Sequence, residues 1–231
     1  MREQRLVFGE DAELYDRARP SYPAALIDTV VSLVGERTRA LDVGCGTGKA
    51  TVLLAERGLS GVAVEPDRSM AAIAERRLAR YARWTLQVSD FETWNPGLTE
   101  TVFDLVCCAQ AWHWLDARQR LPKAHDFLRS EGWLALWWNR PAEDESVIRS
   151  ALDEVYQRLA PGLPARGIGS KGVPELDTIP PASDLLSRCS RRSSGPSSTP
   201  MTRGWPCCGR NPTTVCCLRI SRALCSTPFG T

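Results

Sequence analysis

Residues 39–48 read RALDVGCGTG, an apolar run that passes directly into three alternating glycines. The apolar run predicts a buried β-strand over 39–43, and a helix is predicted behind the glycines over 47–57. Glycine is favoured where the backbone adopts positive φ or approaches a ligand closely, and the first turn of a helix has free N–H groups. In an open α/β sheet such a loop lies at the carboxyl end of a strand, where ligands bind.

The spacing of these glycines argues against two other ligand-binding loops. A dinucleotide fingerprint reads G-x-G-x-x-G, and here the third glycine comes one residue too early, which disfavours a nicotinamide-dependent oxidoreductase. A P-loop has four residues before its Gly-Lys and then Ser or Thr, whereas three residues separate Gly44 from Gly48 and Ala50 follows Lys49. A tight turn that binds no ligand is the remaining alternative.

Strand and helix patterns alternate along the first two thirds of the chain. The predicted strands are 39–43, 60–65, 84–88, 102–108 and 133–138, and the predicted helices are 47–57, 67–79, 117–128 and 146–159. This alternation indicates βαβ units with right-handed crossovers. We therefore expect an α/β fold with a doubly wound, mostly parallel sheet.

The composition is that of a soluble globular protein, with 43% apolar and 24% charged residues among 231. The sequence has no apolar run long enough for a membrane span and no signal-peptide pattern at its start, so we expect a cytoplasmic protein without membrane contact. The chain is too long for a small disulfide scaffold. Cys45, Cys107 and Cys108 lie in core-like contexts and are interpreted as buried thiols.

The charge is distributed unevenly. All 27 acidic residues precede Leu185, whereas seven of the 29 basic residues follow it, so residues 1–184 carry a net charge of −5. Nucleic-acid binding draws much of its affinity from neutralising phosphates. An acidic body of this kind indicates that nucleic acid is not the partner.

Two acidic residues lie at or just beyond the ends of predicted strands. Glu65 ends the second strand, where a carboxylate can accept hydrogen bonds from the ribose hydroxyls of an adenosine ligand. Asp90 stands beside Phe91 after the third strand, where the pair could bind the amino group and ring of adenine. The alternatives are a solvated carboxylate for Glu65 and an ordinary helix N-cap for Asp90.

The order and spacing of ALDVGCGTGKAT, VAVEPD, VSDFETW and FDLVCCAQAWHWLD resemble those of class I S-adenosylmethionine-dependent methyltransferases. The leader YDRARPSYP and the segment AQAWHW resemble a branch of small-molecule enzymes that includes trans-aconitate methyltransferase. The resemblance covers roughly residues 8–160. It implies a Rossmann-like core, S-adenosylmethionine as cofactor, and a small-molecule acceptor such as a carboxylate or another oxygen nucleophile.

The resemblance also implies roles for the residues around the glycine loop. Gly44, Gly46 and Gly48 would line the methionine and adenosine portions of the cofactor. Asp42 would lie beneath the methionine end, and Glu65 would hold the ribose.

Other implied contacts come from more distant positions. Asp90 and Phe91 would meet the adenine, and Gln110 would lie near the sulfonium and the methyl acceptor. Tyr15 and Arg19 would belong to an N-terminal lid over the cofactor.

His113 is the candidate general base, because the only other histidine, His125, falls inside a predicted helix. Methyl transfer from a sulfonium depends mostly on placing donor and acceptor together, so such a site does not require a strong base. The alternative is that His113 packs between Trp112 and Trp114 and shapes the pocket.

We expect four segments. These are an N-terminal lid and first helix over 1–38, a cofactor-binding core over 39–160, a Pro/Gly-rich linker over 161–184 and a tail over 185–231. The tail holds eight Ser, seven Arg, six Cys and five Pro without apolar periodicity, which is typical of disorder. The sheet is therefore expected to lack the last strands of its family.

The residue types of the tail favour a shifted reading frame. Cys codons are TG-pyrimidine and the Trp codon is TGG, so each becomes NTG when read one base earlier. NTG encodes only Leu, Met or Val. The positions that would become apolar are Cys189, Trp205, Cys207, Cys208, Cys216, Cys217 and Cys225.

Two other interpretations of the tail remain. One is a natural disordered tail, and the other is a zinc site, although adjacent cysteine pairs lack the C-x₂-C spacing of structural zinc sites. We expect no metal. For the whole chain, the alternative to an active enzyme is a non-catalytic remnant that binds cofactor weakly or not at all.

Overall fold

A computed structural model describes residues 9–97, 103–139, 154–155 and 157–159, and the backbone of 213–220. The strands are β1 (Arg39–Val43), β2 (Ser60–Glu65), β3 (Trp84–Val88), β4 (Phe103–Ala109), β5 (Leu128–Asn139) and β6 (Thr213–Ile220). The helices are α1 (Ala12–Ala18), α2 (Ala24–Val34), α3 (Lys49–Glu56), α4 (Arg68–Leu78) and α5 (Arg120–Phe127), with a 3₁₀ helix at Trp112–Trp114.

The strands form one sheet in the order β3-β2-β1-β4-β5-β6. The first five are parallel, and the strand order reverses direction between β1 and β4. This arrangement confirms the predicted doubly wound, mostly parallel sheet. The gap between the carboxyl ends of β1 and β4 is the switch point, where ligands bind in open α/β sheets.

Both faces of the central strands β1, β2 and β4 are buried, which explains their continuous apolar runs. Successive residues of β1 point to opposite faces, so that Ala40 joins one core cluster and Leu41 the other. Apolar residues of α2, α3 and α4 cover the first face. Phe127 of α5 and Trp112 cover the second face.

The predicted bounds agree with the structure for β1, β2 and β3 and differ further along the chain. β5 begins at Leu128, five residues before the predicted start, because the strand follows α5 without a turn. α5 itself begins at Arg120 rather than at residue 117. Residues 154–155 and 157–159 are helical, and the rest of the helix predicted over 146–159 lies outside the described residues.

The C-terminal tail contributes a strand that the sequence analysis did not predict. β6 pairs antiparallel with β5, from Gly132 opposite Ile220 to Asn139 opposite Thr213. The tail was expected to be disordered, and these eight residues form a strand instead, whereas the expectation that the sheet lacks the last strands of its family stays a prediction. The outer side of β5 offers unpaired N–H and C=O groups, and the β-branched residues of TTVCCLRI favour an extended backbone. The linker 161–184 and the remaining tail residues lie outside the described residues.

No helix in the described part of the chain is both long enough and apolar enough to cross a membrane.

Candidate functional site at the carboxyl edge of the sheet

A cavity opens at the carboxyl ends of β1, β2 and β4, at the switch point of the sheet. Predicted site residues from both the strand ends and the N-terminal segment meet in its wall. They are Tyr15, Arg19, Gly44, Gly46, Glu65, Phe91 and Gln110.

The glycine loop forms the floor of the cavity. Gly44, Gly46 and Gly48 adopt φ values of +67°, +58° and +80°, a left-handed conformation that residues with a Cβ adopt at a cost. A Cβ on Gly44 would also lie 2.6 Å from the Cβ of Ala111. The amides of Gly44 and Cys45 both donate to the carbonyl of Val64, which fixes the loop against β2.

Glu65 places a buried carboxylate beside this loop. Its side chain accepts one hydrogen bond from the Gly46 amide at 2.8 Å and another from the Asp67 amide at 3.0 Å. Only 7% of the residue is exposed, and burial raises the pKa of Glu65 to about 7. A carboxylate held in this way at the cavity wall can accept hydrogen bonds from ligand hydroxyl groups.

Asp42 lies underneath the loop and does not line the cavity. One carboxylate oxygen accepts a hydrogen bond from the Thr51 hydroxyl at 2.6 Å, and the Cys107 thiol also interacts with the carboxylate. Complete burial raises the pKa of Asp42 to about 6. The Thr51 contact ties β1 to the first turns of α3. Gly48 likewise lies outside the cavity wall and serves as the N-cap of α3.

The N-terminal segment closes the cavity from above. Tyr15 lies in the middle of α1, Arg19 is its C-cap residue, and Pro20 and Tyr22 continue the wall. The Arg19 guanidinium lies 5.3 Å from the centre of the Tyr15 ring, and Tyr22 packs edge-on against Trp137 at 6.0 Å. This segment forms part of the cavity wall, and its role as a lid stays a prediction.

The loop after β4 supplies the wall next to the lid. Gln110 has φ +67°, a strained value for a residue with a Cβ, and its side-chain amide donates to the Asn139 carbonyl at 3.4 Å. Trp114 and Leu115 also line the cavity.

His113 is exposed and is not part of this wall. Its ring centre lies 4.5 Å from that of Trp114, which does line the cavity. A role for His113 as general base stays a prediction.

The loop after β3 contributes differently from the expectation. Phe91 lines the cavity, is 2% exposed and lies 6.1 Å from the ring of Phe127. Asp90 does not line the cavity, and its carbonyl accepts the amide of Trp94 at 2.9 Å. The acidic residue of this loop that lines the cavity is Glu92. Its carboxylate also accepts a hydrogen bond from the Asp116 amide at 2.9 Å.

Several wall residues were missed by sequence reasoning, namely Pro20, Tyr22, Met70, Glu92, Trp114 and Leu115. Except for Met70, all of them fall inside the quoted family segments, so the motifs contained a signal for their region but not for their orientation. In the described residues, no group of three His, Cys, Asp or Glu side chains could hold a metal ion.

The comparisons with known proteins agree with this geometry. Residues 41–136 match the family model described as a methyltransferase domain. The chain is 36% identical over 157 residues to the uncharacterized methyltransferase Rv3342 of Mycobacterium tuberculosis, covering 68% of this chain and 61% of that protein. It is 34% identical over 122 residues to trans-aconitate 2-methyltransferase of Variovorax paradoxus, covering 52% and 46%.

A solved structure supports the same fold. A proposed type II methyltransferase from Anaeromyxobacter dehalogenans superposes with a TM-score of 0.52 and 29% sequence identity, covering 63% of this chain and 60% of that one. The chain thus spans less than two thirds of the length of these relatives.

The switch-point cavity, the left-handed glycine loop and the strand-end acid define an α/β domain that binds an adenosine-containing cofactor. The family match makes the class specific: over residues 41–136 the chain is a class I S-adenosylmethionine-dependent methyltransferase domain. S-adenosylmethionine is the cofactor of this class.

Proposed function

We propose that this protein transfers the methyl group of S-adenosylmethionine to a small-molecule acceptor. The observation that carries the proposal is the buried carboxylate of Glu65, which is held by the Gly46 amide at the wall of the switch-point cavity. This arrangement matches the need of an adenosine ribose for an acceptor of two hydroxyl hydrogen bonds.

The remaining wall residues fit the other parts of the cofactor. The methionine portion would lie along Gly44 and Gly46, where the backbone permits close approach. The adenine would pack against Phe91, and Glu92 is the described acid next to that ring. Asp90 is proposed to contribute through the turn that orients Phe91, because its carbonyl holds that turn closed.

The acceptor side lies between the lid and the loop after β4. Arg19 and Lys49 are the cationic residues among the described lining residues, and the Lys49 ammonium lies 3.4 Å from Asp16. Arg19 is thus the group best suited to hold an anionic acceptor. A relative named trans-aconitate 2-methyltransferase carries a carboxylate substrate in its name, which supports a carboxylate or another oxygen nucleophile.

The chemistry follows from placement. S-adenosylmethionine held along the glycine loop and Glu65 would supply an electrophilic methyl group to an acceptor oxygen, and the electrons of the broken carbon–sulfur bond would leave on sulfur as a neutral thioether. An ionised carboxylate has no proton to lose, so this step needs no general base. Gln110, Trp114 and Tyr15 enclose the reacting atoms and reduce access of water.

Calorimetry with S-adenosylhomocysteine tests the proposal. The chain should bind this ligand and should not bind NAD. Glu65→Ala should weaken binding by about 1–3 kcal/mol, the scale of hydrogen bonds to a charged group. Equal affinity in the variant contradicts the assignment of Glu65, and no binding by the wild-type chain supports the alternative of a non-catalytic remnant.

His113→Asn tests the general-base prediction. If His113 is the general base, its replacement should lower turnover by ~10²–10⁴-fold with little change in cofactor affinity. If His113 instead shapes the pocket through Trp114, the KM for the acceptor should change more than kcat. We propose this second outcome, because His113 contacts Trp114 from outside the cavity. Unchanged kinetics would contradict both roles.

A further inference from the structure

Two carboxylates of α1 pair with consecutive arginines of α4, in very different surroundings. Glu13 pairs with Arg76 on the surface, where the two side chains are 59% and 62% exposed. Asp16 pairs with Arg77 at 2.5 Å, where the side chains are 13% and 32% exposed. Only the second pair reaches the cofactor loop.

Asp16 joins three separate elements of the core. One oxygen accepts a hydrogen bond from the Thr47 hydroxyl of the glycine loop at 2.6 Å. The same oxygen lies 3.4 Å from the Lys49 ammonium at the start of α3, and the other oxygen meets Arg77 of α4. Arg77 in turn donates to the Thr47 carbonyl at 3.2 Å.

The electrostatics of this cluster favour the ionised acid. Partial burial alone would raise the pKa of Asp16, but the Thr47 hydroxyl and the charges of Arg77 and Lys49 hold it below its ordinary value. Asp16 is thus ionised at neutral pH and acts as a charged link between the lid and the cofactor loop.

The position of α1 depends on such links. The helix has seven residues, and isolated helices shorter than about 12 residues are marginal in water. Its apolar docking is small, because Ala12 and the partly buried Tyr15 pack against Met70 and Ile73 of α4. Tyr15 directly precedes Asp16 and lines the cavity, so the contacts of Asp16 fix the place of the Tyr15 ring.

We infer that Asp16 is a positioning residue that fastens the lid to the glycine loop and sets how long the cofactor stays bound. The inference rests on the proposed function, since it assigns a control over the same cofactor site. A cofactor under Tyr15, Arg19 and Tyr22 leaves only when this segment moves. Moving it separates Asp16 from Thr47, Lys49 and Arg77, so these contacts oppose release.

Stopped-flow dissociation of S-adenosylhomocysteine, followed by tryptophan fluorescence, tests the inference. Asp16→Asn should speed dissociation about tenfold, through loss of charge-assisted hydrogen bonds. Asp16→Glu, which keeps the charge, should restore part of the difference. Glu13→Gln is the matched control on the same helix and should change the rate by less than about twofold, as expected for an exposed pair.

Hydrogen exchange of the cofactor-free proteins supplies a readout that does not require cofactor binding. Asp16→Asn should increase exchange of the amides of α1 and of the glycine loop, whereas Glu13→Gln should not. Equal exchange in Asp16→Asn and wild type, or equal acceleration by both variants, overturns the role of Asp16. If the wild-type chain binds no S-adenosylhomocysteine, the proposed function fails, and the exchange data still decide whether Asp16 fastens the lid.

Discussion

The two sides of the sheet are built in different ways around β1. On the cofactor side, β2 and β3 follow β1 through single short helices, and β1 and β2 bury apolar residues on both faces of the sheet. On the opposite side, β5 pairs with β6, and residues 140–212 separate these strands in the chain. The first side follows from local sequence, whereas the second depends on contact between distant segments.

The two sides also differ in how strictly each strand pairing restricts the residue types that fit. On the cofactor side a Cβ on Gly61 would lie 1.8 Å from the carbonyl oxygen of Ala40, so the strand accepts only glycine there. Pairing of β6 uses backbone groups that every residue except proline possesses. Closing a long loop and ordering eight residues also costs entropy, about 1–2 kcal/mol per residue for the backbone. We therefore expect the cofactor side to tolerate change far less than the β6 side.

The largest effect is expected from Gly61→Ala. The added Cβ would overlap the Ala40 backbone and push β1 and β2 apart, at a cost of about 3 kcal/mol or more, at or above the upper end of overpacking costs. Gly97→Ala is the control, since no atom lies within 4 Å of a Cβ there and its cost is limited to a left-handed φ of +86°. Urea unfolding measures both. Equal stability of Gly61→Ala and wild type would contradict the tight pairing of β1 and β2.

The second-largest expected effect is a pH dependence of the free energy of unfolding, which arises from buried acids on the cofactor side of the sheet. The pKa of Glu65 is raised to about 7 from an ordinary 4.5, so between these values the folded chain keeps a proton that the unfolded chain has lost. The free energy of unfolding should thus fall as pH rises through this window, by about 3 kcal/mol in total. Asp42, whose pKa is raised to about 6, adds a slope of the same sign between pH 4 and 6.

Glu65→Gln should reduce the slope between pH 4.5 and 7 in the cofactor-free protein and leave the contribution of Asp42 below about pH 6. Denaturant titrations at half-unit pH intervals measure it. A wild-type free energy of unfolding that rises with pH across the window would contradict a burial cost of Glu65 that exceeds the gain from its two backbone hydrogen bonds.

A smaller gain in stability is expected from correcting the tail. We propose that residues from about Leu185 onward are read in a shifted frame, because seven Cys and Trp positions there would become Leu, Met or Val in the other frame. The nucleotide sequence across codons 170–190 locates the shift. A gain of about 2 kcal/mol from the restored apolar residues would raise Tm by roughly 4–8 °C. A corrected chain that melts at or below the temperature of the present one would contradict the proposal.

The smallest effect is expected within β6. Val215→Pro removes one backbone donor from a strand that closes a long loop, and it should lower the free energy of unfolding by less than about 1 kcal/mol. Val106→Pro, in the fully buried centre of β4, is the matched comparison and should prevent stable folding. Similar losses in the two variants would show that β6 is as integral to the fold as β4.

The same comparison explains what the sequence predicted. The predicted bounds of β1, β2 and β3 agree with the structure because apolar runs between glycines and helix caps are local signals. The place of Glu65 in the cavity wall could be predicted because a residue at a strand end lies at the edge of the sheet, and its contact with the ribose stays a prediction. Glu92, rather than the neighbouring Asp90, reached the cavity because the turn after β3 depends on contacts with Asp116 and Lys123 from a distant loop and helix.

Contacts between distant residues account for the other differences. The link from Asp16 to Thr47 and Arg77 joins residues 31 and 61 positions apart, and no periodic pattern indicates it. β6 escaped prediction because its apolar residues do not alternate. His113 was selected as one of only two histidines, a criterion that says nothing about the direction of its side chain.

The most direct test of the account is a crystal structure of the chain with S-adenosylhomocysteine. We expect the ribose hydroxyls within hydrogen-bond distance of the Glu65 carboxylate, the methionine portion along Gly44 and Gly46, and Tyr15 closed over the ligand. A ligand bound elsewhere on the sheet, or one in the cavity with no contact to Glu65, would contradict the central claim.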